Sequence, residues 1–286
     1  MKPSLRFSVP LIALLSAFAL AQSSIDQPQP EHFMRSFTIT PGGTLRVENY
    51  KGAIHVTGGN GNEIAVTVDK KFAGSDSDRK WWMENTEVDF HNDSGRVSVE
   101  VKYPQWSCGF CWQGHDFSAQ VELEIRVPRQ INVNLESYKP DIKVAAVQGD
   151  IRIKSYKSPI TIDSTTGSIR IDTYKDMVKL QNVTLRGPLE IKSYKADAEV
   201  SAKALGDSVT IEDSKGSTLL RVPQNAGLDV DYEGGRRASF RSDFPISSAA
   251  GSFDRSFHGS VNGGGTRLHL RTEKGSVSLE KLSGQL

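Results

Sequence analysis

The sequence of 286 residues has little of several features that mark common functional classes. It contains two cysteines and six histidines, and its 35 basic side chains are balanced by 34 acidic ones, which leaves a formal net charge of +1. A charge balance so close to neutral provides no global attraction to nucleic acid or to an anionic membrane. We therefore expect no nucleic-acid partner.

The sequence motifs of common hydrolases and nucleotide-binding proteins are also missing. There is no H-E-x-x-H, no G-x-S-x-G and no P-loop pattern. The glycine run 263–265 precedes a strand pattern and not a helix, so it cannot hold a phosphate at a helix N-terminus. Asp150, Asp163 and Asp172 do not recur in register as a catalytic carboxylate pair would require. We predict no catalytic residue, no metal site and no cofactor, and hence a non-enzymatic protein.

Long apolar runs are absent except at the N-terminus. Lys2 and Arg6 precede an apolar core, and Ala19-Leu20-Ala21 has the small-x-small pattern of a cleavage site, so residues 1–21 are predicted to be a signal peptide. No later run approaches the ~20 residues of a spanning helix, so we expect no transmembrane segment. Residues 22–36 are polar, contain two prolines and are predicted to be a linker. We expect an exported protein, located in the periplasm, at the cell surface or outside the cell.

A short repeat occupies most of the remaining chain. Pairs of the form apolar-x-apolar recur at steps of nine to eleven residues from Ile142/Val144 to Val209/Ile211. Each pair puts two side chains on one face of a short strand, and nine residues are too few for a helical crossover. The repeat predicts an all-β fold, a single-stranded β-solenoid similar to a right-handed parallel β-helix, with rungs of about 18–20 residues. The last strands of the chain are expected to form the closing rungs.

Every second unit of the repeat ends in a tyrosine followed by a lysine, and these pairs are 18, 18 and 20 residues apart. Their constant offset from the apolar pair predicts that the tyrosines stack at one corner of the rungs, with the lysines in a row beside them. Two interpretations stay open. The lysine stems could cover stacked rings in a purely structural role, or the row could be a cationic, aromatic binding strip for an anionic polymer or a glycan. The residues are Tyr138, Lys139, Tyr156, Lys157, Tyr174, Lys175, Tyr194 and Lys195.

An aromatic and cysteine-containing insertion interrupts the repeat at about residues 69–118. All four tryptophans of the chain lie there. One interpretation is a small satellite core, and the other is an exposed aromatic patch that contacts a glycan or a protein. The residues are Trp81, Trp82, Trp106 and Trp112.

The two cysteines of the chain lie in the same insertion, in the sequence Cys108-Gly-Phe-Cys111. In an exported protein such a pair predicts a disulfide. A thioredoxin-like redox site would place the first cysteine at a helix N-terminus, whereas strands and glycines surround this pair. With His115 the pair supplies three metal ligands, one fewer than a closed zinc site needs. A disulfide is favoured, and a redox or metal module remains the alternative.

Several stretches resemble the DUF4097 family of exported bacterial β-helical domains, whose members are described as candidate adhesins. The resemblance rests on LRVENYKGAIHV at 45–56, GGNGNEIAVTV at 58–68, GDIRI at 149–153 and GSVNGGGTRLHLRTEKGSVSL at 259–279. It implies a β-helical fold and an envelope location, and it brings no catalytic residues. We place the β-solenoid domain at residues 37–286.

These observations favour a non-enzymatic exported envelope or surface protein that acts by surface contact. The expected partner is a glycan, an anionic envelope polymer or another surface protein. Two alternatives are a polysaccharide-processing or glycan-binding β-helix protein, and a redox or metal module at the CxxC loop.

Overall fold

The computed structural model describes residues 30–104, 117–139, 141–248 and 255–283, which leaves the predicted signal peptide outside the described residues. The described chain is a β-solenoid, as the repeat predicts, with one short helix. The elements in chain order are β1 (His32–Thr38), β2 (Thr44–Asn49), β3 (Ile54–Gly59), β4 (Glu63–Ala73), α1 (Asp76–Asn85), β5 (Glu87–Asp93), β6 (Arg96–Lys102), β7 (Ser118–Pro128), β8 (Asn132–Ser137), β9 (Ile142–Ala145), β10 (Ile151–Lys157), β11 (Ile160–Asp163), β12 (Thr166–Ala204), β13 (Ser208–Asp213), β14 (Thr218–Val222), β15 (Leu228–Ser242), β16 (Ser247–Ser248), β17 (Ser256–Val261) and β18 (Thr266–Lys281).

Alternation of apolar and polar residues sets the inner and outer face of each strand. In β10, Ile151 and Ile153 are buried while Arg152 and Lys154 are exposed. The same alternation recurs in the neighbouring rungs, so the buried side chains form one continuous aliphatic core.

Two columns of parallel strands form the main sides of the solenoid. In the first column, Ile151 of β10 lies between Val133 of β8 and Ile169 of β12, so aligned positions are 18 residues apart. In the second column, β11 pairs in the same way with β9 and with a later part of β12. The strand β12 is 39 residues long because it continues around more than one rung.

Glycine is required where the turns of adjacent rungs approach most closely. Gly167 has a φ of +150°, and a Cβ atom at this position would lie 2.0 Å from the carbonyl oxygen of Gly149 in the next rung. No side chain fits that space, and the conformation itself favours glycine.

The order of rungs at the N-terminal end differs from the order in the chain. β2 lies between β6 and β8, and β3 lies between β7 and β9. The outermost parallel rung of this end is therefore built from β6 and β7, and β5 and β4 extend it by antiparallel pairing. Because Val97 and Val99 of β6 continue the apolar stripe of β2, residues 96–102 form a rung of the solenoid and are not part of an insertion.

The C-terminal end shows the same inversion. β18 pairs with β13 and β14 on one side and with β15 on the other. The expectation that the last strands close the solenoid is wrong for β18, which is an interior strand. The outer position belongs to β15, and β17 and β16 extend it by antiparallel pairing.

The strand β1 starts earlier than the predicted domain boundary. It pairs antiparallel with β4, and it includes residues 32–36, which sequence analysis assigns to the linker. Apolar contact explains why β1 extends into the predicted linker. Phe33 and Phe37 pack against Phe90 of β5, with ring centroids 6.2 and 5.6 Å away.

The helix α1 covers apolar surface beside this end of the solenoid. Ser75 caps its N-terminus, because the Asp78 backbone N–H donates a hydrogen bond of 3.2 Å to the Ser75 hydroxyl. Trp82 on this helix is 2% exposed, and its ring centroid lies 5.9 Å from that of Phe72 in β4. The helix is therefore held mainly by one buried indole.

Candidate functional site

The tyrosines at the repeat positions form one stack, which includes a fifth ring. Tyr50 stacks on Tyr138 with 4.6 Å between ring centroids, and the series continues through Tyr156 and Tyr174 to Tyr194 at 4.7, 4.8 and 5.2 Å. Interplanar angles between 9° and 18° make the rings nearly parallel. We call these tyrosines and their neighbouring lysines the Tyr–Lys corner. Its lysines are Lys51, Lys139, Lys157, Lys175, Lys195 and Lys215.

The spacing of the rings follows from the spacing of the strands. Paired strands lie about 4.8 Å apart, so side chains at equivalent positions of successive rungs meet at that distance. Aromatic pairs at such distances contribute about 0.5–1.5 kcal/mol each beyond the area that they bury. The stack therefore has a structural role whatever else it does.

Stacking determines which part of each ring a partner can reach. The ring faces cover one another along the stack, whereas the edges point away from the core. Tyr50, Tyr174 and Tyr194 are 50%, 37% and 36% exposed. An aromatic ring is electron-poor at its edge and electron-rich on its face. The corner therefore presents ring edges, which suit an anion better than they suit the apolar face of a sugar.

Several corner lysines lie beside the rings. The Nζ atom of Lys157 is 5.2 Å from the Tyr156 centroid, and that of Lys215 is 4.5 Å from the Tyr194 centroid. Lys215 also donates a hydrogen bond of 2.5 Å to the Tyr194 hydroxyl. This hydrogen bond and the positive charge of Lys215 lower the pKa of Tyr194 below its ordinary value. The aromatic and cationic groups thus interact within one surface.

The corner lysines lack the ionic partners that several lysines of the flat faces have. On the faces, Lys143 lies 2.6 Å from Asp141, and Lys192 lies 2.9 Å from Glu190. Within the described ranges, no corner lysine forms an ion pair with a carboxylate. Corner lysines are also direct neighbours on adjacent rungs, and such like-charged pairs repel by roughly 0.2–1 kcal/mol. The corner therefore carries positive charge that no direct ion pair neutralises among the described residues.

Buried polar groups fix the start of the corner. Asn49 is 2% exposed, and its side-chain nitrogen donates to the carbonyl oxygen of Val121 at 2.8 Å. The Tyr103 hydroxyl donates to the Asn49 side-chain oxygen at 2.7 Å and also contacts the Lys51 carbonyl oxygen. Burial raises the pKa of Tyr103. These contacts hold the backbone from which Tyr50 projects.

The predicted aromatic patch is not an exposed surface where the structure describes it. Trp82 is buried beside Phe72, and Trp81 is partly buried against the same core. These two residues agree with the satellite-core interpretation, and the contact-patch interpretation is wrong for Trp82. Trp106 and Trp112 lie outside the described residues.

Cys108 and Cys111 also lie outside the described residues, so the disulfide and its redox and metal alternatives stay predictions. No helix in the described part of the chain has the length and apolar character that a membrane crossing requires.

Sequence reasoning missed one polar cluster at the C-terminal end of the solenoid. Asp231 lies between His258 and His269, with carboxylate-to-imidazole distances of 3.0 and 2.9 Å. The chain itself gives no sign that these residues meet, because their contact depends on the inverted rung order.

The fold and the corner define a β-solenoid protein with a periodic surface. The family model described as Toastrack DUF4097 matches residues 35–280, and the chain belongs to this family. The resemblance seen in the sequence is thereby confirmed.

Solved structures of similar proteins come from several bacteria. A candidate cell adhesion protein of Clostridium sporogenes is 12% identical, with 88% of this chain and 100% of that chain covered and a TM-score of 0.37. A candidate adhesin of Bacteroides fragilis is 11% identical, with 89% and 99% covered and a TM-score of 0.38. A candidate lipid-binding protein of Parabacteroides distasonis is 10% identical, with 88% and 97% covered and a TM-score of 0.24. The comparison with curated proteins found no match.

Proposed function

We propose that this protein is an exported, non-enzymatic envelope protein that acts by surface contact, and that the Tyr–Lys corner binds an extended anionic polymer. One observation carries the proposal. Six lysines follow one another on successive rungs, and within the described ranges none of them has a carboxylate partner. Three lysines of the flat faces in these rungs are paired instead: Lys143 with Asp141, Lys179 with Glu199 and Lys192 with Glu190.

The periodicity of the corner supports a polymeric partner. A chain that runs along the solenoid axis meets one ammonium group and one tyrosine edge about every 4.8 Å. Each contact is weak at an exposed and salt-screened site. Contacts that are linked along one ligand add up, because every contact after the first is intramolecular. The corner is thus better matched to a linear ligand than to a small one.

The geometry of the rings supports an anionic ligand over a neutral glycan. Aromatic platforms for sugars use open ring faces, and in this stack the faces of Tyr138, Tyr156 and Tyr174 are covered on both sides by neighbouring rings. Phosphate, sulfate and carboxylate groups instead accept hydrogen bonds from ammonium groups, which the corner offers in a row.

Support for export comes from the N-terminal sequence alone. The basic start, the apolar core and the Ala19-Leu20-Ala21 pattern are those of a signal peptide. An envelope location would bring the protein close to anionic polymers.

The proposal is tested with two variants that remove the same charge from the same rungs. In the first, four corner lysines become glutamine, and in the second, four lysines of the flat faces do. We expect the corner variant to bind an anionic polymer about tenfold or more weakly and to lose most of its salt dependence, because the electrostatic contacts are removed. The face variant should bind like the native protein. The corner variant changes Lys139, Lys157, Lys175 and Lys195, and the face variant changes Lys143, Lys154, Lys179 and Lys192.

The ligands in this experiment are polyphosphate and alginate as anionic polymers, dextran as a neutral polymer, and vesicles that contain anionic lipid. Binding is followed by isothermal titration calorimetry at two salt concentrations, and polymer length is checked afterwards by gel electrophoresis or chromatography. Equal weakening in the two variants would make the effect one of net charge and would defeat the proposal. Preference for dextran would favour a glycan-binding protein, and shortened polymer would favour a polysaccharide-processing enzyme. Binding to vesicles alone would also contradict the proposal.

A further inference from the structure

Three adjacent strands at the outer C-terminal end bring four potential metal ligands onto one face. β15 lies between β17 and β18, and the register puts Asp231 of β15 opposite His258 of β17 and His269 of β18. Glu233 lies two residues further along β15, so it projects from the same face as Asp231. The four residues come from three separate parts of the chain and converge because of the strand order.

The distances between these groups are close to those that a bound metal ion needs. The Nδ1 atom of His269 lies 2.9 Å from Asp231 Oδ2, and the Nδ1 atom of His258 lies 3.0 Å from Asp231 Oδ1. Potential ligand atoms of Asp231, Glu233 and His269 all lie within 4.8 Å of one another. A tetrahedral zinc ion with bonds of about 2.0–2.2 Å holds its ligand atoms about 3.4 Å apart. Small side-chain rotations would satisfy that geometry.

The surroundings leave room for an ion and for its remaining ligands. Asp231, His258 and His269 line an open cleft of about 560 Å³, together with Asp229 and Arg267. The His258 side chain is 84% exposed and that of His269 is 31% exposed, so both imidazoles can turn toward an ion. Because the cleft is open, coordination positions that the protein does not fill are accessible to water or to an anionic group of a second molecule.

Some charged neighbours of the cluster favour the binding of a cation, and others oppose it. Asp229 adds negative charge to the cleft, while Arg267 adds positive charge. The Nε atom of Arg271 lies 3.8 Å from a carboxylate oxygen of Glu233, so Glu233 must exchange this partner for the metal. Asp231 and the two histidines have no such competitor among the contacts of the described residues.

We propose that Asp231, Glu233 and His269, with His258 as a fourth and more mobile ligand, bind one divalent transition-metal ion of the zinc type. Imidazole mixed with carboxylate suits zinc, nickel and copper, whereas calcium and magnesium prefer oxygen ligands alone. The ion would join β15, β17 and β18 at the end of the solenoid. When the mobile His258 leaves the ion, three protein ligands remain and the ion would offer a coordination position on the surface, independent of the Tyr–Lys corner.

The test uses the purified protein after treatment with a chelator, titrated calorimetrically with zinc chloride and, separately, with calcium chloride. We expect one equivalent of zinc to bind and calcium not to bind at the same concentration. Zinc should raise the melting temperature, because an ion that binds only the folded state stabilises it. In NMR spectra the imidazole signals of His258 and His269 should shift, and the signals of His55 should not.

Matched variants identify the ligands. Asp231→Asn and His269→Gln should each abolish stoichiometric binding. His258→Gln, which changes an exposed side chain and so leaves the fold intact, should weaken it about tenfold. His55→Gln is the control. His55 also contacts two carboxylates, but Glu124 lies 2.6 Å from its Nδ1 and Asp141 lies 3.1 Å from its Nε2, so the three groups do not converge on one ion position.

A further variant separates this site from the cysteine loop. Replacing Cys108 and Cys111 by serine should leave the zinc stoichiometry unchanged. Absence of zinc binding in the native protein would overturn the proposal. The proposal would also fail if His258→Gln and His269→Gln both bound zinc at native affinity. It would fail as well if the cysteine variant lost zinc binding while the histidine variants kept it.

Discussion

Tyr156 lies in the middle of the tyrosine stack, with a ring on each side. Its centroid is 4.7 Å from that of Tyr138 and 4.8 Å from that of Tyr174. Replacing it with alanine removes two aromatic contacts, and we expect the free energy of unfolding to fall by about 2 kcal/mol. Urea denaturation measures this change.

Tyr50 provides the control for this prediction. It is 50% exposed and has one stacked neighbour among the described residues, Tyr138 at 4.6 Å. Tyr50→Ala should therefore cost less than half as much as Tyr156→Ala. Equal costs would mean that ring stacking does not stabilise the solenoid.

Lys70 is a buried cation on the inner face of β4, and it gives stability a pH dependence. It is 1% exposed, and its Nζ donates a hydrogen bond of 2.6 Å to the carbonyl oxygen of Thr86. Burial lowers the pKa of Lys70 from 10.5 to about 8, against the attraction of Glu87. The unfolded chain therefore keeps this proton to a higher pH than the folded chain does. It follows that stability rises as pH increases from about 8 to about 10.5, and that below pH 8 the full cost of burying the charge is present.

Lys70→Met isolates this contribution from all other titrating groups. Between pH 8 and 10, the unfolding free energy of the native protein should rise relative to that of the variant by roughly 1 kcal/mol per pH unit. Urea denaturation at pH 7, 8, 9 and 10 measures that difference. A constant difference over this range would show that Lys70 is not titrating within the core.

At the scale of the elements, much of the solenoid is visible in the sequence. An apolar-x-apolar pair every nine residues specifies both the strand and its buried face, and the offset of the tyrosines specifies the corner. The helix α1 is harder to foresee, because Trp82 is its one buried residue and a single buried side chain leaves no helical periodicity. Lys70 follows the alternation that begins at Ile64, but nothing in the strand pattern shows that α1 and β5 lie nearby.

The pairing partners of the strands are the part that the sequence does not specify. Val99 and Leu135 are equally suitable neighbours for Val47, since each continues the same aliphatic stripe. Alternation fixes which face is buried and leaves the choice of neighbour to turns and long-range packing. The contacts between Asp231, His258 and His269 depend on that choice, which is why spacing alone could not reveal them.

At the scale of the whole molecule, the inverted rung order makes a prediction about truncated chains. A chain that stops after Pro223 loses β15 to β18 together and keeps an uninterrupted series of rungs. A chain that stops after Val261 keeps β15 and β17 but lacks β18, the strand that joins β15 to β13 and β14. We expect the longer chain to be no more stable than the shorter one, because its extra strands have lost their neighbour.

Thermal denaturation of the two truncated chains, followed by circular dichroism, measures this difference. A chain that stops after Ser283 keeps every strand of the described region and serves as the reference. A melting temperature for the Val261 chain clearly above that of the Pro223 chain would mean that β15 packs on the solenoid without β18.

The interior position of β18 also has a kinetic consequence. During synthesis or passage through a membrane from the N-terminus, β15 emerges before the strand that must separate it from β13 and β14. Until residues 266–281 follow, the facing edges of β13 and β15 have no strand between them. Unpaired edges of this kind readily accept strands of other chains. The slowest and most vulnerable moment of folding therefore falls late, when a long-range insertion fills the space between β13 and β15.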